Sequence, residues 1–368
     1  MKKVLFVLNN MNIGGTEKAF LNYVDTLPPE EYDVTLLLCE KSGGFLPYIP
    51  ERVHVKVMDD YASMKREIMD PPLRIAGDYL RSGHICRAFW IAALHLVAKI
   101  TNDRTLYYRY VLRKQPERGA YDAAIAYCGP FDFLTVYVLY AVRAAKKVQW
   151  IHFDVSKFHF NTKMCKKLYP KFDSICAVSD AAREQLLKKI PEISDKTITV
   201  PNVVSPEQCR RLAEAGDGFQ DGFEGTRIVT VGRLSEEKGQ DIIPSIAAKL
   251  KDNGLRFRWY LVGDGKLRPT IEAQCKKYGV DQEIVFLGVQ ANPYPYLKEA
   301  NIYVQTSKHE GFCITLAEAK AFDLPIISTD CAGAHEQLDE RKNCKVVKRD
   351  VDVISQSVFS VVMRDQKE

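Results

Sequence analysis

Short apolar runs typical of β-strands alternate with helical patterns along most of the chain. In the first half these runs fall at Lys3–Leu8, Tyr32–Leu38, Val53–Val57, Ala123–Tyr127, Lys146–Ile151, Ser174–Val178 and Thr197–Val200. In the second half they fall at Arg227–Val231, Arg256–Val262, Glu283–Leu287, Ile302–Gln305 and Pro325–Ser328, with helices starting near Lys238, Lys266, Pro295 and Cys313. Strands that alternate with helices form parallel sheets covered on both faces. The pattern therefore predicts an α/β fold.

The chain is expected to divide near its middle, because 368 residues exceed one ordinary hydrophobic core. Two prolines lie in Val200–Pro206, and the glycine-rich stretch Gly216–Gly225 follows after a short helix. Such composition marks a domain boundary. We expect two doubly wound, Rossmann-like domains over residues 1–205 and 206–350, facing each other across a cleft. Residues 351–368 are predicted to be a terminal helix, a candidate to cross toward the first domain.

Residues 61–118 interrupt the alternation of strands and helices, and their composition predicts a basic, aromatic helical insert. They carry 11 Lys/Arg and 5 Asp/Glu, whereas residues 1–205 carry 29 and 22 and the rest of the chain 23 and 25. Nearly all of the basic excess of the first half therefore comes from this insert. It is expected either to pack on the sheet or to bind a partner. One hypothesis is that its Lys/Arg and Trp/Tyr side chains rest on an anionic membrane surface.

Composition narrows the class of protein further. The 46% apolar and 27% charged fractions are typical of a soluble globular protein. The apolar run Val4–Leu8 is too short for a cleavable signal peptide, and no run is long enough to span a bilayer. The ten cysteines show neither C-x-x-C spacing nor a nearby histidine set, which predicts reduced, buried thiols and no zinc. We expect a cytoplasmic protein, with the inner face of the cell membrane as a candidate location and no nucleic-acid partner.

Two strand-to-helix junctions combine glycines with charge, at the place where open α/β sheets bind ligands. The segment Gly14-Gly15-Thr16-Glu17 opens a helix, whose unpaired amides suit an anion. In Val231–Gly239, Arg233 leaves a strand and Lys238 stands at the mouth of the next helix. Two cations beside a helix start suit a diphosphate. The alternatives are an ordinary glycine turn and two solvated surface charges.

The junction Ser307–Ala319 carries two carboxylates. Glu310 precedes the helix and can project into a cleft, while Glu318 lies inside it and can reach a ribose. The amides of the helix start predict a cradle for phosphate, at Cys313, Ile314, Thr315 and Leu316. Because phosphates repel carboxylates, both acids are predicted to bind hydroxyls. Either acid alone is more often an exposed helix residue.

One further candidate lies in the first half, where His152 ends the strand in Gln149–Asp154. A lone histidine is more often a satisfied core residue than a catalyst. At the carboxyl edge of a sheet, however, it is a candidate for contact with a bound substrate.

Together these segments resemble the family-4 retaining glycosyltransferases with the two-domain GT-B fold. The resemblance is densest over residues 226–345, where Gly232-Arg233-Leu234, Lys238-Gly239, Leu261–Gly265 and the Glu-x7-Glu stretch from Glu310 follow the family's order. Weaker matches cover Gly14-Gly15-Thr16-Glu17, Ile151-His152, Val178-Ser179 and Pro201-Asn202. Any one motif is unspecific, but their order over most of the chain is quite specific.

The resemblance implies a sugar transferred from a nucleotide-diphosphate donor, with a role for each residue. Arg233 and Lys238 would bind the diphosphate, and Gly15 would lie close to the same phosphates. Glu310 would contact the hydroxyls of the donor sugar, and Glu318 would hold the ribose.

The resemblance also implies that the backbone near Val289 contacts the base and that His152 contacts the sugar near the anomeric centre. It implies retention of the anomeric configuration, a uridine donor as the commoner choice, and a role in polysaccharide or glycolipid assembly. The acceptor would be a glycan or a lipid-linked molecule, which the insert at residues 61–118 would admit. No metal or other cofactor is expected, because cations take the metal's place, and Asp350-Val-Asp352 is expected to be solvated. The rival functions are a sugar-nucleotide epimerase, a phosphorylase, and a non-enzymatic nucleotide- or glycan-binding protein.

Overall fold

A computed structural model describes residues 1–59, 61–113, 117–129, 132–156, 160–331, 333–338 and 342–365. The chain separates into two compact units, Met1–Pro201 and Asn202–Glu368. The sequence places the boundary at residue 205, a few residues further along.

The first unit is a parallel sheet covered by helices. Its strands are β1 Lys2–Leu8, β2 Tyr32–Leu38, β3 His54–Val57, β4 Glu117–Gly129, β5 Val142–Ile151, β6 Ser174–Ala177 and β7 Thr197–Thr199. Its helices are α1 Gly15–Asp25, α2 Tyr61–Met69, α3 Pro72–Arg81, α4 Ile85–Thr101, α5 Thr105–Leu112, α6 Asp132–Tyr140, α7 Thr162–Leu168 and α8 Asp180–Lys189. The described strands stand in the order β3-β2-β1-β4-β5-β6-β7, and all neighbours run parallel.

The second unit repeats the scheme with a smaller sheet. Its strands are β8 Thr226–Val231, β9 Phe257–Val262, β10 Ile284–Gly288, β11 Ile302–Gln305, β12 Ile326–Thr329 and β13 Cys344–Val347. Its helices are α9 Pro206–Glu214, α10 Ile243–Asp252, α11 Arg268–Tyr278, α12 Tyr294–Lys298, α13 Ile314–Ala319, α14 Ala334–Leu338 and α15 Val351–Asp365. The described strands stand in the order β10-β9-β8-β11-β12-β13, again parallel. The predicted α/β fold is confirmed.

The central strands are buried because their sequences are apolar on both faces. In β1, residues 4–8 are all buried, as are all four residues of β11 and of β12. A parallel sheet covered by helices on both sides requires such continuous apolar runs. The burial explains why these strands were readable from the sequence.

The insert packs on the first unit through one side. Helices α2 to α5 connect β3 to β4, and their inner residues join the core of the sheet, among them Tyr61, Met64, Ile91 and Tyr108. Buried Glu67 links three of these helices, since its carboxylate accepts hydrogen bonds from Tyr79 and Arg87, both at 2.5 Å. No helix in the described part of the chain is long and apolar enough to cross a bilayer.

Strand β13 and helix α15, near the carboxyl terminus, show features that the sequence analysis did not predict. Strand β13 was not predicted, because its apolar run is interrupted by Lys345 and stands among charged side chains, as suits an edge strand. Helix α15 packs on α10, and Ile354, Val358 and Val362 are buried in the core of the second unit. The described part of the terminal helix therefore belongs to that core.

Candidate functional site

The order of strands in the second unit creates a crevice at one point of its sheet. Strands β8 and β11 are neighbours, yet their connections leave in opposite directions, to β9 on one side and to β12 on the other. In open α/β sheets ligands bind at the carboxyl ends of the strands at such a switch point. The predicted residues Arg233 and Lys238 follow β8, and Glu310 follows β11.

Lys238 and Glu310 meet at this switch point. Lys238 Nζ lies 2.5 Å from Glu310 Oε1, and the Ser307 hydroxyl donates to the same oxygen at 2.7 Å. The side chains are 24% and 10% exposed. Burial acts to lower the pKa of Lys238, but the carboxylate of Glu310 outweighs it and raises that pKa. Lys238 therefore remains a fixed cation in a partly dehydrated place.

The backbone around this ion pair is held between two loops. Gly239 has a φ of 64°, and a side chain there would come 2.4 Å from the Thr306 carbonyl oxygen. The Thr306 hydroxyl donates to the Lys238 carbonyl at 3.1 Å, and the Lys308 amide donates to the Glu237 carbonyl at 2.8 Å. Glycine is thus required for the close approach that brings Lys238 to Glu310.

The turn Val262–Gly265 packs against the start of the loop that follows β8 and leads to Lys238. A side chain on Gly263 would meet the Gly232 carbonyl oxygen at 2.1 Å, and the Leu234 amide donates to the Asp264 carbonyl at 3.0 Å. This turn therefore shapes the loop that carries Arg233.

Arg233 is exposed, and its guanidinium makes no ion pair within the described ranges. Its backbone carbonyl instead accepts a hydrogen bond from Gln240 Nε2 at 2.9 Å. Arg233 is therefore anchored by its backbone and presents an uncommitted cation at the carboxyl end of β8. Val289, predicted to contact a base, is also exposed and follows β10 on the same sheet.

The start of α13 differs in detail from the predicted phosphate cradle. Cys313 has a φ of 61° and its side chain is buried, 3.4 Å from the sulfur of Cys331. The Leu316 amide donates to the Cys313 carbonyl at 2.9 Å, so in this structure it is already bonded within its own turn, and its contact with a phosphate stays a prediction. The amides of Ile314 and Thr315 precede the first bond of the helix and have no partner within it.

Glu318 lies inside the second unit, because only 4% of it is exposed. Its Oε1 accepts a hydrogen bond from the hydroxyl of Tyr294, at 2.7 Å. Burial and the Glu318 carboxylate raise the pKa of Tyr294, which keeps the phenol a neutral donor. The sequence missed Tyr294, and its only signal was a tyrosine at the start of a predicted helix.

We expect Tyr294→Phe to weaken donor binding while leaving the chemical step unchanged. Loss of one hydrogen bond to a carboxylate costs about 1 kcal/mol, so the KM for the donor should rise about fivefold at constant kcat. Steady-state kinetics with Tyr296→Phe as the matched control would measure this. An unchanged KM would mean that Tyr294 does not position Glu318.

The first unit places its predicted residues at the carboxyl ends of β1 and β5. Gly15 is exposed and is the first residue of α1. His152, just after β5, is 7% exposed and lies against the rings of Tyr127 and Trp150, with centroids 4.5 and 6.2 Å away. The imidazole bonds to the Tyr127 backbone, and burial lowers the pKa of His152 to about 3. Its Nε2 is buried and has no partner in the described structure.

The buried imidazole predicts a pH dependence of stability. His152 stays neutral in the folded protein down to about pH 3, whereas an unfolded histidine takes up a proton near pH 6.5. The unfolded state therefore binds more protons between these values, and the free energy of unfolding should fall as the pH drops through this window. Urea unfolding from pH 7 to pH 4 should show a smaller fall for His152→Gln. Equal falls would contradict a neutral, buried His152.

Within the described ranges, no group of three or more His, Cys, Asp or Glu side chains is placed to hold a metal ion. The Asp-x-Asp sequence has other partners. Asp350 Oδ1 accepts from the amides of Asp352 and Val353 at 2.9 and 3.1 Å, which caps α15, and Asp352 pairs with Lys249.

Comparisons with known proteins find similarity to glycosyltransferases. Residues 222–365 match the model of the family described as glycosyl transferases group 1. An uncharacterized glycosyltransferase of Methanocaldococcus jannaschii is 28% identical over 172 residues, which are 45% of this chain and 42% of the relative.

A second relative acts on a lipid-linked sugar by its name. The N-acetylgalactosamine-N,N'-diacetylbacillosaminyl-diphospho-undecaprenol 4-alpha-N-acetylgalactosaminyltransferase of Campylobacter jejuni is 27% identical over 177 residues, 48% of this chain and 47% of the relative. The chain therefore spans less than half the length of these two curated relatives.

The whole chain matches a solved structure. Anabaena HepE in complex with UDP and glucose superposes with a TM-score of 0.70 at 18% identity, covering 100% of this chain and 91% of HepE. At that identity the likeness shows the fold, which is GT-B.

Proposed function

We propose that this chain is a group 1 glycosyltransferase. It would move a sugar from a UDP-sugar to a glycan or lipid-linked acceptor, and the sugar would retain its anomeric configuration. The product would belong to a cell-surface polysaccharide or glycolipid. The observation that carries the proposal is the Lys238–Glu310 ion pair at the switch point of the second sheet. Lys238 and exposed Arg233 both follow β8, whereas Glu310 follows the neighbouring strand β11.

The charges suit a diphosphate leaving group. A glycosyl transition state resembles an oxocarbenium ion that separates from a nucleoside diphosphate, so negative charge grows on the diphosphate as the bond breaks. Cations that are already in place stabilise that charge without reorganisation. Lys238 is such a cation, and Arg233 has a free guanidinium with a fork of donors for phosphate oxygens. With two cations available, we propose that no metal is needed.

Donor binding would exchange partners within the ion pair. In the present structure Glu310 holds Lys238, and a phosphate offers Lys238 a partner of greater charge. Release of Glu310 would leave a carboxylate oxygen free to accept hydrogen bonds from sugar hydroxyls. The ion pair therefore holds the Lys238 ammonium and the Glu310 carboxylate in position before the donor binds. The hydrogen bond from Ser307 would keep the carboxylate oriented during the exchange.

The donor's nucleoside would lie along the same sheet edge. Val289 is exposed at the end of β10, and its backbone is placed to meet a base. Glu318 would bind the ribose, with Tyr294 fixing its orientation. We favour uridine because HepE, which shares the fold, was solved with UDP and glucose.

Retention would follow from attack on the same face that the diphosphate leaves. Glu310 is held by Lys238 and Ser307, so we assign it to hydroxyl binding and not to nucleophilic attack. The leaving phosphate would then accept the acceptor's proton. We propose that His152 contacts the sugar through Nε2, which requires this buried atom to become accessible when substrate binds.

The acceptor is proposed to reach the first unit from an anionic membrane surface. The named substrate of the Campylobacter relative is a diphospho-undecaprenol, which is an amphiphile with a charged head. The basic insert at residues 61–118 suits such a head and the anionic lipids around it. We therefore propose that the protein acts at the inner face of the cell membrane.

Transfer can be separated from the rival functions by its products. We expect purified enzyme with a panel of nucleotide sugars to release nucleoside diphosphate only when acceptor is present, and the new linkage to keep the donor's anomeric configuration by NMR. Epimerisation of the donor without acceptor would contradict the proposal and favour an epimerase. Sugar 1-phosphate as the product would favour a phosphorylase.

A further inference from the structure

Helix α4 exposes an apolar stripe that soluble proteins rarely leave uncovered. We propose that helices α3 and α4 form an interfacial membrane-binding surface, in which α4 lies in the plane of an anionic bilayer and inserts this stripe among the acyl chains. The proposal deepens the proposed function, on which it rests for the membrane as the site of the acceptor.

The stripe follows from the helical positions of α4. Ile85, Phe89, Leu96 and Ile100 are 67, 64, 58 and 74% exposed. At 3.6 residues per turn these four positions fall within about 60° of the helix circumference. The opposite face is buried against the insert, through Ala88, Ile91 and Ala98. Helix α4 is thus apolar on both sides, although only one side has a protein partner.

The remaining exposed face of α4 is also apolar. Trp90 and Val97 are 52 and 40% exposed and lie next to the stripe on the helix surface. Trp90 packs beside Phe89 and Tyr110, with ring centroids 5.9 and 6.5 Å apart. Indole rings favour the boundary between headgroups and acyl chains. The stripe therefore extends along about 25 Å of helix, at 1.5 Å per residue.

Charge around the stripe is positive. Helix α4 contains no Asp or Glu, and its Lys99 is exposed. Helix α3, which packs on α4, exposes Leu73 and Leu80 together with Arg74 and Arg81. The acidic residue of α3, Asp78, is already paired with Arg66 at 2.6 Å and with Arg81 at 3.4 Å, so two cations face one carboxylate. Apolar side chains that insert beside cations at headgroup level are the pattern of an interfacial helix.

This pattern favours a lipid surface over a second copy of the chain. A symmetric dimer would bring the same patch against itself, which would place Arg74, Arg81 and Lys99 of one copy near those of the other. Like charges at close range oppose such an interface. An anionic bilayer supplies the opposite charge and covers the stripe in one step.

Tryptophan fluorescence tests the insertion directly. Of the three tryptophans only Trp90 is exposed, because Trp150 and Trp259 are 3 and 0% exposed. We expect vesicles of phosphatidylcholine and phosphatidylglycerol to shift the emission to shorter wavelength, and lipids brominated on their acyl chains to quench it. Trp90→Phe should abolish both changes. A wild-type spectrum unaffected by vesicles, or quenching that survives in Trp90→Phe, would overturn the proposal.

A pair of matched variants tests the stripe without its tryptophan. Phe89→Glu with Ile100→Glu should lower vesicle binding in flotation by at least about tenfold, because acidic side chains cannot enter the acyl region. The control is Ile198→Glu with Tyr278→Glu, which changes two exposed apolar residues elsewhere by the same charge and should bind as the wild type does. Equal loss in both variants, or in neither, would contradict the stripe as the contact.

Further measurements separate this proposal from its alternatives. Turnover with a detergent-solubilised acceptor should be equal in the stripe variant and the wild type, so failed vesicle binding and failed transferase activity are distinguishable. Binding to vesicles should persist in part at high salt, since insertion is apolar, whereas a purely electrostatic contact is screened. A wild-type dimer in sedimentation that the stripe variant converts to monomer, without vesicle binding, would assign the stripe to a second copy.

Discussion

Lys238→Ala is expected to lower kcat/KM for the donor by a factor on the order of 10² to 10³. This is the usual effect of removing one preorganised group that stabilises developing negative charge. Lys238 is the cation whose ammonium lies 2.5 Å from Glu310 at the switch point. If that ammonium stabilises the leaving diphosphate, most of the loss should fall on kcat, because the added charge exists only in the transition state. Steady-state rates of nucleoside diphosphate release would measure it.

The control for this variant is Lys298→Ala, which removes an exposed lysine of the same unit that pairs with Glu214 at 2.7 Å. Its turnover should match the wild type. Lys238→Ala leaves the mostly buried Glu310 without its cation, which costs stability, so thermal unfolding must show that the variant is folded. A folded Lys238→Ala with wild-type kcat would remove Lys238 from the mechanism.

Glu310→Gln is expected to have the second-largest effect, a loss of about 10² in kcat/KM, because the amide keeps the shape of the carboxylate but loses its charged hydrogen bonds. The variant loses the ion pair with Lys238 and weakens the bond from Ser307. Glu214→Gln is the matched control on the surface. Turnover near the wild-type rate in Glu310→Gln would refute its contact with the sugar.

The two variants also predict a coupling. Residues that act as one unit are strongly non-additive, so Lys238→Ala with Glu310→Gln should be little worse than the more damaging single variant. Multiplied losses would mean that the two side chains serve separate steps, and the exchange of partners on donor binding would then be wrong.

Much of the fold was readable because a doubly wound sheet imposes a simple pattern. Its central strands are buried on both faces, so β1 or β11 appears as an uninterrupted apolar run between helical patterns. Strand β13 escaped prediction because an edge strand needs apolar side chains on one face at most. The sequence could not show which side of the insert is buried, for another reason. That burial depends on which helix face meets the sheet, and tertiary packing decides it.

The site was partly readable for similar reasons. Glycines beside Arg233 and Lys238 mark a strand end, and the switch point then brings Lys238 to Glu310, 72 residues away in sequence. The sequence could not show that Glu318 is buried against Tyr294 or that the Leu316 amide is bonded within its own turn. Both depend on side-chain and backbone geometry inside a helix start. The packing of His152 against two aromatic rings was likewise invisible to spacing.

We propose above all that the carboxyl edge of the second sheet binds a nucleoside diphosphate through Arg233 and Lys238. Calorimetric titration of UDP into the wild type and into Arg233→Ala tests it most directly, because Arg233 has no ion-pair partner in the described structure whose loss would unfold the site. We predict one binding site in the wild type and a dissociation constant about tenfold higher in the variant, as expected for a charged contact to phosphate. Equal dissociation constants in the two proteins would contradict the account.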